Sequence, residues 1–142
     1  MIEYHMKLLK EYYFDVSFVI LIIFYNYLTK VWDKFNLIGL SLIIISLPFW
    51  LLAREQLGDS FTVKPRAIKL VTSGLYSKIR NPIYLFSSLT VFGAILPSRN
   101  LVQYFLFFIL VIIQIVRIKK EERVLEKKYG KKYLRYKAKT PL

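Results

Sequence analysis

Four apolar runs separated by basic connections constrain this chain more than any other feature it has. They occupy about residues 12–28, 35–53, 82–97 and 100–117. A membrane-spanning helix needs roughly 17–25 apolar residues, so the last two runs are short. A turn of flanking sequence, local bilayer thinning or snorkelling basic ends can complete them. Hydrophobic residues make up 56% of the 142, and the mean hydropathy is +0.41. A soluble domain of this size has too much surface for its volume to hide so much apolar area. The expected fold class is therefore all-α: an integral membrane helical bundle forming a single domain over 1–142. It has about four transmembrane helices and a C-terminal cytoplasmic amphipathic helix over 118–137.

The basic residues set the orientation of that bundle. Lys7 and Lys10 precede the first run, Arg54, Lys64, Arg66, Lys69, Lys78 and Arg80 lie between the second and third, and eleven follow from Arg117 to Lys139. Only Lys30, Lys34 and Arg99 fall on the other side. The positive-inside rule then makes the chain multi-pass, with both termini and the 54–81 loop cytoplasmic. The net charge of +13 is accounted for by this orientation and by anionic lipid headgroups. Nucleic acid is not an expected partner, since no nucleic-acid-binding motif accompanies the charge. A cleavable signal is not expected either, because Glu3 and Glu11 interrupt the basic region and no small-residue cleavage site follows. The sequence has no Cys and a single His, His5. Thiolate nucleophiles, Cys-based metal sites and His clusters are excluded, so no metal is expected.

The connections differ in kind. Thr29 to Lys34 and Pro97 to Asn100 are short enough for tight turns, whereas 54–81 mixes apolar and basic residues and is long enough to carry function. Pro48 inside the second run should kink it. Arg80-Asn81-Pro82 opens the third run, with Asn a favoured N-cap and Pro suited to the first helical position. Local sequence allows two readings: a well-capped span, or a helix start whose free N–H groups hold a carboxylate. Ser87, Ser88, Thr90 and Gly93 behind it suit close helix packing.

The fourth run leads into a charged helix without a break signal. Gln114, Arg117 and Glu121 recur at three- and four-residue spacing and share a face if the helix continues. A second line through Ile118, Glu122, Leu125, Tyr129, Tyr133 and Tyr136 is apolar apart from Glu122. Arg117 and Glu121 can be a plain i,i+4 ion pair. Alternatively, carboxylates at a membrane boundary mark a site for a cationic ligand.

These pieces together resemble a known pattern. "KLVTSGLYSKIRNPIYL", followed by two helical runs and "RIKKEERVLEKKYGKKYLRYKAKTP", with "LGDSFT" upstream, is similar to the isoprenylcysteine carboxyl methyltransferase family. These are membrane methyltransferases that use S-adenosyl-L-methionine and release S-adenosyl-L-homocysteine. The resemblance runs from about Leu57 to Pro141. It implies that Ile68, Lys69, Leu70, Val71 and Tyr76 contribute to the cofactor site. The family's Arg-His-Pro-x-Tyr motif falls on Arg80 to Tyr84, which implies cofactor contacts for Asn81, Pro82, Ile83 and Tyr84. Glu121, with Glu122 beside it, is implied to bind the cofactor and Arg117 to meet the acceptor. The 54–81 loop and the 118–137 helix would together form that site. Asn81 stands where many members have His, and Asn cannot titrate, so no proton-transfer role passes to it. The chain ends at Thr140-Pro141-Leu142, where many relatives continue into an apolar tail, which bears on the cofactor lid.

The resemblance implies methylation of a lipophilic acceptor, most simply a carboxylate such as that of an isoprenylcysteine, giving a methyl ester. A carboxylate is already nucleophilic at neutral pH, which fits the scarcity of His and Cys. Methylation of an amine headgroup, as in the related phospholipid methyltransferases, needs a base such as Glu122 or Tyr84. A non-enzymatic membrane scaffold is the third reading. The expected partners are membrane lipids and a prenylated or other lipophilic substrate, and a thin bundle of short helices leaves room for a homodimer.

Overall fold

The computed structural model describes residues 33–58 and 70–140, together with helical positions 17, 20, 21, 24 and 28. The first apolar run, Ile68 and Lys69 therefore lie wholly or mostly outside the described residues. Among the described residues the chain is all-helical: α1 (Lys34–Leu57), α2 (Pro82–Ile95), α3 (Leu101–Tyr129) and α4 (Lys131–Lys139), with 3-10 turns at Gly74–Ser77 and Leu96–Ser98.

Each helix starts where local chemistry satisfies its free N–H groups. Asp33 caps α1, its carboxylate accepting from the backbone of Phe35 at 3.0 Å and Asn36 at 3.1 Å. Arg99 forms an ion pair with that same Asp33, tying the start of α1 to the α2–α3 turn. Asn100 caps α3 by accepting from Val102 N at 2.9 Å. Asn81 departs from expectation: it occupies the N-cap position of α2, yet its side chain makes no capping bond. α1 runs on through Pro48.

Two helices, α1 and α3, are long and apolar enough to cross a membrane, while α2 with its trailing 3-10 turn, Pro82–Ser98, is shorter. Their large apolar side chains, such as Leu37, Ile44, Phe105, Phe108 and Ile112, face outward, as lipid-facing residues do. α3 has 29 residues, which at 1.5 Å each gives about 43 Å. The hydrocarbon layer is only about 30 Å thick, so about a third of the length of α3 exceeds what a single crossing needs. The C-terminal helix expected over 118–137 is divided in the structure. α3 continues unbroken to Tyr129, and the break falls at Gly130, whose φ of +48° sends α4 off in a new direction. Gly tolerates that left-handed conformation at no steric cost.

Small residues let α1 and α2 meet closely. A Cβ on Gly39 would stand 2.5 Å from the Gly93 carbonyl oxygen, and one on Gly93 would stand 2.7 Å from that of Gly39. Ser46 and Thr90 share a buried hydroxyl hydrogen bond of 2.8 Å, and Phe49 stacks on Phe86 at 5.1 Å. α2 meets α3 through both polar and aromatic groups: Ser88 Oγ donates to Gln114 Oε1 at 2.6 Å, and the Phe92 and Phe107 rings lie 5.4 Å apart. The expected packing role of Thr90 and Gly93 is met on α1, and that of Ser88 on α3.

Candidate functional site

The site forms where three segments converge beyond the apolar stretch of α3: the end of α1, the 3-10 turn with the start of α2, and the junction of α3 with α4. Gly74 makes the turn possible. Its φ is +59°, and a side chain there would collide with Gln56. The Gln56 amide oxygen accepts from Leu75 N at 2.8 Å, which fixes the turn against α1. Tyr76 is then inserted into the core formed with Ala53 and Ile83, its hydroxyl donating to the Ala53 carbonyl at 3.3 Å.

α4 folds back over this turn. The Tyr136 hydroxyl donates to the Tyr76 carbonyl at 2.7 Å, and Arg80 Nη1 donates to the Thr140 carbonyl at 3.2 Å. Glu122 is the electrostatic centre of the closure. Its carboxylate lies 2.7 Å from Arg80 Nε and 3.1 Å from Lys137 Nζ. The Arg80 Nε–H is turned away from hydrogen-bonding direction, so that contact is held by charge. Both side chains are largely buried, which strengthens the pairing relative to a solvated pair.

The adjacent carboxylate, Glu121, points to a different side of α3 and gathers a second cluster. Its Oε1 accepts from the Tyr84 hydroxyl at 2.6 Å and from Arg117 Nε at 3.0 Å, and the Arg117 guanidinium lies 5.8 Å from the centre of the Tyr84 ring. The plain ion-pair reading of Arg117 and Glu121 is therefore correct as far as it goes. Tyr84, on another helix, converts that pair into a fixed three-residue unit.

Between the clusters lies a partly open pocket, whose walls include Leu70, Val71, Tyr76, Asn81, Ile83, Tyr84, Glu121 and Glu122. Eight of the residues singled out in the sequence thus converge on one cavity. Pro82 is fully buried at the first position of α2, and Arg117 reaches the site through Glu121. Sequence reasoning missed Leu57, Arg80, Leu125, Tyr133 and Tyr136 as wall residues. The last three lie on the apolar line noted along the C-terminal region, a signal of burial that did not say what they would be buried against.

Burial raises the pKa of the tyrosines outside the span. Tyr133 is pushed up to about 12, by burial first and then by Glu122. Tyr76 and Tyr136 are raised, again chiefly by burial. All three are neutral hydroxyls at physiological pH.

An acidic and aromatic pocket at the foot of a membrane helix suits a small polar cofactor reached from water and an acceptor reached from lipid. The sequence model of the phospholipid methyltransferase family matches residues 35–132. The chain belongs to this family of membrane methyltransferases, which is related to the isoprenylcysteine carboxyl methyltransferases. The match does not extend to the isoprenylcysteine specificity that the resemblance implied. No curated protein and no solved structure gives a significant match. Members of the family in general use S-adenosylmethionine.

The pocket fits that group. Its aromatic, aliphatic and acidic lining suits a group that carries a heterocycle, hydroxyls and an amine. A carboxylate on its wall, Glu121, can meet a cationic or hydroxyl-bearing portion. The start of α2, where the Asn81 side chain makes no cap, offers N–H donors to a carboxylate.

Proposed function

We propose that the chain is a multi-pass enzyme of the cytoplasmic membrane face that methylates a lipophilic acceptor with S-adenosylmethionine. The observation that carries this reading is the Glu121–Tyr84–Arg117 unit on the pocket wall, at the point where α3 leaves its apolar stretch. Four transmembrane helices with both termini cytoplasmic complete the arrangement, supported by the distribution of basic residues.

When bound, S-adenosylmethionine supplies a methyl group already activated on a sulfonium. The chain's own residues align the reactants and exclude water. Glu121 anchors the cofactor by its amino group or ribose. The α2 start at Asn81, Pro82, Ile83 and Tyr84 receives the methionyl carboxylate. Leu70, Val71 and Tyr76 enclose it, and the family resemblance assigns Ile68 and Lys69, which lie outside the described residues, to the same cofactor. Glu122 keeps α4 in place through Arg80 and Lys137. A lipophilic acceptor arrives between helices from the bilayer and meets the site near Arg117.

The acceptor favoured here is the amine of a phospholipid headgroup. The family match supports it, and so does the geometry, since Arg117 Nε is already engaged by Glu121. An amine must lose a proton, and the Tyr84–Glu121 hydrogen bond offers a route: Tyr84 Oη takes the proton while passing its own to Glu121 Oε1. Glu122, the other base named from sequence, is engaged by Arg80 and Lys137. A carboxylate acceptor such as an isoprenylcysteine is the second reading, favoured by a guanidinium at the membrane end of the site; it needs no base. Incubation of the purified chain with methyl-labelled S-adenosylmethionine and either phosphatidylethanolamine or a farnesylcysteine analogue separates the two. Label in the phospholipid alone is expected. Label in the farnesylcysteine alone overturns the amine assignment, and label in neither, with no cofactor binding, leaves the scaffold reading.

A further inference from the structure

Four tyrosines line the pocket, and three of their hydroxyls have protein partners. Tyr76 donates to the Ala53 carbonyl, Tyr84 to Glu121 and Tyr136 to the Tyr76 carbonyl. The fourth, the Tyr133 hydroxyl, is buried and makes no hydrogen bond among the described residues. The residue as a whole is 0% exposed. A buried hydroxyl left without a partner destabilises a fold, and such groups in native proteins call for a reason. Phe would fill the same space without that penalty.

The position is also not accidental. α4 is held by the Tyr136–Tyr76, Lys137–Glu122 and Arg80–Thr140 contacts, and these fix Tyr133 against the wall. Its charged surroundings are Glu122, Arg80 and Glu126, so it belongs to the outer end of the pocket. Glu121, Tyr84 and Arg117 form the end nearest the membrane, where an acceptor from the bilayer must meet the methyl group. The outer end, with Leu125 and Tyr136 beside Tyr133, has aliphatic and aromatic walls that suit a flat heterocycle with hydrogen-bonding edges.

We infer that Tyr133 is a cofactor-binding residue whose hydroxyl hydrogen-bonds the adenosine half of S-adenosylmethionine at the outer end of the pocket. This rests on the methyltransferase reading above. Because Tyr133 is carried by α4, the bound cofactor also joins α4 to the rest of the site.

Calorimetric titration of the full chain in detergent micelles tests it, with S-adenosylhomocysteine and with 5′-methylthioadenosine, which keeps adenosine and lacks the amino-acid portion. Tyr133→Phe should weaken both ligands by the same factor, about three- to tenfold. It should leave the Tm of the ligand-free protein unchanged or higher, because no protein hydrogen bond is lost. Tyr136→Phe, which removes the bond to Tyr76, should lower that Tm. Unchanged affinity for both ligands in Tyr133→Phe overturns the inference and leaves the hydroxyl without a ligand role. Loss confined to S-adenosylhomocysteine overturns the adenosine assignment. Failure of the folded wild-type protein to bind either ligand overturns the methyltransferase reading itself, a result distinct from wild-type binding that Tyr133→Phe leaves intact.

Discussion

Adjacent glutamates on α3 have different jobs because their neighbours differ. Glu121 Oε1 takes a hydroxyl and a guanidinium proton on the pocket wall, while Glu122 is held between Arg80 and Lys137 and closes α4 onto the turn. Glu121→Gln keeps an oxygen for Tyr84 and Arg117 but loses the charge. It should therefore weaken S-adenosylhomocysteine binding by roughly ten- to a hundredfold, the range for a hydrogen bond to a charged group. The melting temperature should change little. Glu122→Gln should do the reverse, costing about 1–3 kcal/mol of stability by leaving two cations with reduced compensation. Equal effects of both variants on binding and on melting would contradict the division. The i,i+4 pairing of Arg117 with Glu121 was legible in the sequence because it is local. The Arg80–Glu122 pairing was not, because nothing along the chain says which loop folds back onto which helix.

At the scale of elements, hydropathy placed the starts of α1, α2 and α3 within one residue, and the Gly93 and Thr90 pattern pointed to a close interface. The break at Gly130 was hidden. Leu125, Tyr129, Tyr133 and Tyr136 keep a helical rhythm across it, and an isolated Gly costs a helix only about 1 kcal/mol. Only the folded chain shows that Tyr133 and Tyr136 reach the pocket from a second helix. The α1–α2 interface carries its own prediction. Gly93→Ala improves helix propensity by about 1 kcal/mol, yet its Cβ would stand 2.7 Å from the Gly39 carbonyl oxygen. A backbone oxygen cannot rotate away, so the helices must separate and strain the Ser46–Thr90 bond. Overpacking of this kind costs about 1–3 kcal/mol, and the net effect should be a lower melting temperature in detergent. A higher one would mean that the interface is looser than described.

At the scale of the whole molecule, the proposed orientation puts the polar pocket at the boundary between lipid and water, which is where a soluble cofactor and a lipophilic acceptor can meet. In that orientation the long α3 outruns the bilayer, with its apolar part towards lipid and its charged end lining the site. Because the chain has no Cys, single introduced cysteines report sidedness cleanly. Leu101→Cys should react with an impermeant maleimide added outside intact cells, and Lys139→Cys only in inside-out vesicles. The opposite pattern would invert the topology and put the pocket on the wrong face for a cytoplasmic cofactor. The central claim, that this pocket holds the methyl donor, is tested most directly by titrating S-adenosylhomocysteine into the folded, detergent-solubilised chain. Saturable binding at one site per chain is predicted, and the absence of binding in a sample shown to be helical would contradict it.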